Sequence, residues 1–161
     1  MSSLQPSHVP SHVLSLGLPF MDDNHQEFDA MLDQALVCSD SALLAKWQAL
    51  INHATLHFGM EDEWMAASNY ASAKNHQTQH LVVLQVMLEG LQRGQQGDFD
   101  AVRHMVHELK NWFGIHTQSM DAALALHLRS VGTRPEDGFV PAPSNRHWDR
   151  RGGGIVERQP R

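Results

Sequence analysis

A single cysteine, Cys38, leaves this 161-residue chain without the means for an internal disulfide. No apolar run is long enough to span a bilayer, and no cationic-then-apolar signal segment is present. The expectation is a reducing, cytoplasmic setting and no membrane partner. Lysine and arginine number 12 against 18 acidic residues, a formal charge of -6. That balance opposes binding to nucleic acid, which depends on cations neutralising phosphates. Several signatures of catalysis are missing too. The chain has no glycine-rich phosphate loop and no nucleophile elbow, and HFGME at His57 does not supply the HExxH of a zinc protease. It has no adjacent His-Asp dipeptide of the kind metal-dependent phosphohydrolases use, and no pair of Glu-x-x-His motifs as in ferritin-like bundles. Sulfur ligands are not grouped for copper: Met31, Met60, Met65, Met87, Met105 and Met120 are spaced as pliable core packing.

What the chain does have is histidine, twelve of them against one tyrosine, the side chain that most often binds transition metals. Its length suits one domain with a core of its own, and its apolar residues recur at three- and four-residue intervals, the period of helices packed on one face. An N-terminal arm over residues 1–20 carries Pro6, Pro10 and Pro19 and should be irregular. Asp22 or Asp23 can cap a helix from about 22 to 38, with Phe28, Met31, Leu32, Ala35 and Leu36 inward. A second helix, about 41 to 67, holds Leu43, Leu44, Trp47, Leu50, Ile51, Ala54, Phe58 and Met65. A short polar turn at 68–72 makes the third helix, about 73 to 93, an antiparallel neighbour, stopped by Gly94 and Gly97. Asp98 caps a fourth helix, about 99 to 130, with Val102, Met105, Val106, Leu109, Trp112, Phe113 and His116, and Gly114 marks a bend or close approach. The expected fold is all-α, an up-down-up-down four-helix bundle over residues 21–130. Residues 131–161, with six arginines against Glu136, Asp137, Asp149 and Glu157 and few apolar side chains, read as a flexible tail.

Seven residues on these four helices form one metal-binding set: His25, His57 with Glu61, His76 with His80, and His116 with Asp121. Residues four apart lie about one turn apart, so two of the pairs can bind from a single helical face. His116 and Asp121 are five apart, about 140° round an α-helix, so Asp121 should reach the centre from the side. Carboxylates can bridge, and two of them with five imidazoles could hold two divalent ions. Such a nitrogen-rich shell suits iron, and could also take manganese, zinc or cobalt. His53, four before His57, reads as a supporting or surface residue, as do His8, His12, His104, His107, His127 and His147.

The pattern resembles the hemerythrin family, specifically its bacterial single-domain, HHE cation-binding members. The resemblance covers about residues 14–130 and rests on MDDNHQEF around His25, HFGMEDEWM around His57 and Glu61, HQTQH from His76 to His80, and WFGIHTQSMD ending in Asp121. It implies two iron ions (Fe2+/Fe3+) with an oxo or hydroxo bridge. His76, His80 and His116 would hold one iron, His25 and His57 the other, and Glu61 and Asp121 would bridge. It implies reversible binding of dioxygen at the iron with two histidines, which keeps an open position, for oxygen transport, storage or sensing. Phe28, Phe58, Trp112 and Phe113 would wall off that oxygen pocket, and a reductase or other redox partner would restore the ferrous state. On this reading no residue is catalytic. The alternatives are a di-iron redox enzyme acting on peroxide or nitric oxide, and an iron store or iron-cluster repair protein. Two positions depart from the family: Ala71 where a turn proline is frequent, and Phe113 where smaller aliphatics are common.

Overall fold

A computed structural model describes residues 13–132. Most of the arm (1–12), the Arg-rich tail from residue 133, and His8, His12 and His147 lie outside the described residues. The described chain is a four-helix bundle without strands: α1 Pro19–Val37, α2 Asp40–Ala67, α3 Ala73–Gln95, and a fourth rod made of α4 Phe99–His116, a π-helical turn Thr117–Asp121 and α5 Ala122–Ser130. Short connections make sequence neighbours antiparallel, and α1 closes the ring against α4.

The first helix begins three residues earlier than the capping argument places it. Pro19 occupies its first turn, where the missing N–H is no loss and the fixed φ is already helical. Asp22 is therefore inside the helix. Its carboxylate accepts hydrogen bonds from the Leu16 and Gly17 backbone N–H groups and the Ser15 hydroxyl, which ties the preceding segment down. Asp98 does cap α4, accepting from the Ala101 N–H at 3.2 Å. The turn after α2 is made by Asn69 in the left-handed region at φ 53, a conformation asparagine tolerates, so no proline is needed at Ala71.

Gly94 does not stop α3. The helix runs on to Gln95, and Gly97, at φ 90, is the residue that turns the chain. Gly94 lets α3 approach its neighbours: a Cβ there would lie 2.3 Å from Leu44 Cδ2 and 2.9 Å from Val102 Cγ2. Gly94→Ala is expected to destabilise the fold by about 1–3 kcal/mol, as overpacking generally does, despite alanine's better helix propensity. Urea denaturation checks this. Gly114, by contrast, faces open space, and α4 makes no close approach there.

The core has two parts. Phe28, Leu32, Trp47, Leu50, Phe58, Met87, Val106 and Phe113 belong to the larger cluster. Leu16, Leu18, Met21, Trp64, Met65, Leu124 and Leu128 close the other end. Along α1, α2 and the fourth rod, His25, Glu61, His116 and Asp121 fall between these two clusters, and His57 sits beside Phe58 at the edge of the larger one. The apolar run of α3 is only partly used: Met87 is buried, while Leu81, Val82, Val86 and Leu88 are exposed.

Candidate metal centre

All seven predicted side chains are buried and converge on one centre. One turn of α2 carries His57 and Glu61, and His57 Nε2 lies 3.0 Å from Glu61 Oε1. One turn of α3 carries His76 and His80. The fourth rod solves the five-residue spacing with its π turn, in which the Ala122 N–H reaches back to the Thr117 carbonyl. A wider turn brings residue i+5 back toward residue i, and His116 Nε2 stands 3.0 Å from Asp121 Oδ1. Asp121 thus arrives nearly in line with His116 and not from the side. The Thr117 hydroxyl donates to the Phe113 carbonyl at 2.8 Å, and the Ser119 hydroxyl to Ile115, satisfying backbone acceptors where the helix widens.

The two carboxylates divide their oxygens. Glu61 Oε2 faces His80 and His76 at 3.2 and 3.5 Å, and Asp121 Oδ1 faces His116 and His76 at 3.0 and 3.1 Å. Glu61 Oε1 faces His57 at 3.0 Å and His25 at 3.8 Å, and Asp121 Oδ2 faces His25 at 3.1 Å. Two donor groups result, one of Glu61, His76, His80, His116 and Asp121, the other of His25, His57, Glu61 and Asp121.

The donor set fits metal ions better than it fits itself. Nδ1 of His25, His57 and His76 is buried with no partner among the described residues, and the Nε2 atoms of His25 and His57 and all four carboxylate oxygens meet only other side chains of the centre, as close ion pairs without hydrogen-bond geometry. Each such group carries a desolvation cost of about 1–3 kcal/mol unless something satisfies it. His76 Nε2 and His80 Nε2 lie 3.1 and 3.2 Å from His116 Nε2. Donors held at about 2.1 Å from one cation are about 3.0 Å apart when adjacent in an octahedral shell.

Electrostatics agree. Burial favours the neutral acid at Glu61, yet the surrounding imidazoles, His57 foremost, hold its carboxyl well below the ordinary range. At Asp121 burial and the Glu61 charge push upward, and the facing His116, His25 and His76 outweigh them. His25 feels the reverse: burial disfavours its cation, but Asp121 and Glu61 push its pKa up to about 9. A metal ion bound at His25 must displace that proton. Metal uptake at pH 7–8 is therefore expected to release protons, and the release should fade as pH rises through about 9. A weakly buffered titration with a pH dye measures it; proton-neutral uptake at pH 7 would contradict the assignment.

The four aromatics distribute around the two groups. Phe113 meets His25 edge-on at 5.6 Å and Phe28 at 4.8 Å between ring centroids. Phe58 stacks flat on His80 at 4.0 Å, and the half-buried Trp112 stacks on His116 at 4.4 Å. His53 stacks on Phe28 and faces Glu27 at 3.3 Å, away from the donor groups. The sequence reading did not single out three further residues: Thr117 in the π turn, Asp62 behind His80 and Gln79 behind His116. The last two stand next to proposed ligands in HFGMEDEWM and HQTQH, which is the signal that could have found them.

A curated protein named bacteriohemerythrin, from Ralstonia nicotianae, is 31% identical to this chain over 122 residues, which is 76% of this chain and 89% of that protein. This chain belongs to the hemerythrin family. No family model and no solved structure matches it. Membership together with the buried cluster suits a di-iron site, and among the described residues no helix is long and apolar enough to cross a membrane.

Proposed function

We propose that this hemerythrin-family chain is a non-haem di-iron protein that binds dioxygen reversibly, as a carrier, store or sensor and not as an enzyme. The observation that carries the reading is the division of the Glu61 and Asp121 oxygens between a three-histidine and a two-histidine group. His76, His80 and His116 would hold one iron and His25 and His57 the other, with both carboxylates and an oxo or hydroxo group between them. When bound, the iron pair supplies the two electrons that reversible dioxygen binding requires.

The chain's own residues decide whether that binding stays reversible. The two-histidine side offers one imidazole fewer, which leaves room for an exogenous ligand there. Phe113 packs edge-on against His25 on that side, Phe28 backs Phe113, and both are buried. Their rings keep water, and the protons it carries, from the centre. Phe58 and Trp112 fix the planes of the His80 and His116 rings. A reductase or small reductant would return oxidised protein to the ferrous state.

The test is the visible spectrum of iron-loaded, reduced protein as oxygen is admitted and then removed with argon. Reversible colour supports the reading. An irreversible diferric spectrum favours a redox enzyme acting on peroxide or nitric oxide, and colourless metal binding favours an iron store. Phe113→Leu is expected to speed autoxidation several-fold while metal content stays the same; unchanged autoxidation removes Phe113 as a barrier.

A further inference from the structure

Imidazoles that bind metal through Nε2 carry a proton on Nδ1, and what that proton meets sets the ring's tautomer, its angle and its donor strength. In the three-histidine group two of the three Nδ1 atoms have an acceptor. His80 Nδ1 faces Asp62 Oδ1 at 3.3 Å, and His116 Nδ1 faces Gln79 Oε1 at 3.4 Å. His76 Nδ1, and Nδ1 of both His25 and His57 in the other group, have no partner among the described residues. The outer acceptors are thus confined to one half of the centre. Asp62 follows Glu61 on α2 and Gln79 precedes His80 on α3, so each element supplies a ligand and the support for a ligand on another element. Asp62 reaches His80 across the α2–α3 seam, and Gln79 reaches His116 across the α3–α4 seam.

We propose that Asp62 and Gln79 are positioning residues for the three-histidine metal, fixing His80 and His116 with Nε2 inward, and that the Asp62 charge makes His80 the stronger donor of the two. This rests on the metal-site reading above and not on dioxygen binding. A carboxylate behind His80 favours the more highly charged metal, so the iron of this half becomes the easier to oxidise. Gln79, a neutral acceptor, aligns His116 without that electronic effect.

The experiment uses the full chain and Co2+ as the probe, with affinity read by competition against a chelator. Asp62→Ala is expected to weaken the tighter Co2+ step by about tenfold or more, in the range found for outer acceptors of metal-bound histidine, and to remove the slowly exchanging His80 Nδ1 proton from the NMR spectrum. Gln79→Ala should do the same to the His116 proton. Asp62→Asn keeps an acceptor but no charge; it should retain the proton signal and yet raise the reduction potential of the iron-loaded protein. The Asp62 side chain is 37% exposed, so these variants should fold, and Asp62→Asn serves where alanine does not. Wild-type Co2+ affinity in both alanine variants, or an unchanged His80 proton in Asp62→Ala, overturns the proposal. A chain that binds no Co2+ before mutation refutes the metal-site reading itself, and one that binds Co2+ yet never forms a reversible oxygen adduct leaves only the dioxygen reading refuted.

Discussion

Glu61→Ala is expected to weaken loading of both metal ions, whereas His25→Ala or His57→Ala should spare one ion per chain. The difference follows from where each side chain sits. Glu61 Oε1 belongs with His25 and His57, and Oε2 with His76 and His80, so its loss strips both donor groups of a carboxylate. His57 serves one group only. The three-histidine half keeps five donors when His57 is removed, enough to retain a cation. Conversely, His76→Ala or His116→Ala should lower the content to one or none. Metal analysis of variants purified from iron-supplemented cultures, paired with a fold check by circular dichroism, settles the pattern. Equal stoichiometry in Glu61→Ala and His57→Ala would break the shared-carboxylate assignment.

Metal removal should be as consequential for stability as for binding. The buried nitrogens and oxygens at the centre, which lack hydrogen bonds and meet only one another, impose a desolvation cost that ligation removes. A ligand that binds only the folded state, held at 1,000 times its Kd, stabilises by about 4 kcal/mol per site. For a domain of this size about 1 kcal/mol moves Tm by about 4 °C, so one saturated site is expected to raise Tm by about 16 °C over the chelated protein. Calorimetry with and without chelator gives the number. A shift of a degree or two would mean that cations do not relieve the buried cluster.

Much of this was legible in the sequence, for identifiable reasons. Helix periodicity placed Phe28, Leu32, Trp47, Leu50 and Val106 inward because their spacing matches the helical repeat, and all are buried. The four-residue spacings of His57 with Glu61 and of His76 with His80 put each pair on a common face of its helix. Three things were hidden. Pro19 reads as a breaker in isolation, yet at a helix start its restricted φ is an advantage. Gly94 reads as a stop, but what decides it is the proximity of Leu44 and Val102 from other helices. The π turn has no local sequence mark, because a widened turn depends on hydroxyls such as Thr117 and Ser119 finding backbone carbonyls, and on Asp121 finding its imidazoles. The half-exposed apolar run of α3 shows the converse limit: hydrophobicity alone did not say which side of the helix would be covered.

That widened turn also sets the phase of everything after it. Before it, the inward stripe of the fourth rod runs Val102, Val106, Leu109, Phe113 and His116; after it, the stripe resumes at Asp121, Leu124, Ala125 and Leu128. An unbroken α-helix would carry the first stripe on to Met120 and His127, one residue out of step with what is buried. Tightening that turn to α-helical geometry without removing a residue would therefore swing the Asp121 carboxylate out of the centre and rotate Leu124 and Leu128 off the end cluster together, whereas deleting one residue between Thr117 and Met120 as well would bring all three back into phase. The metal site and the closure of that end of the bundle share a single register, so selection on either one constrains the other.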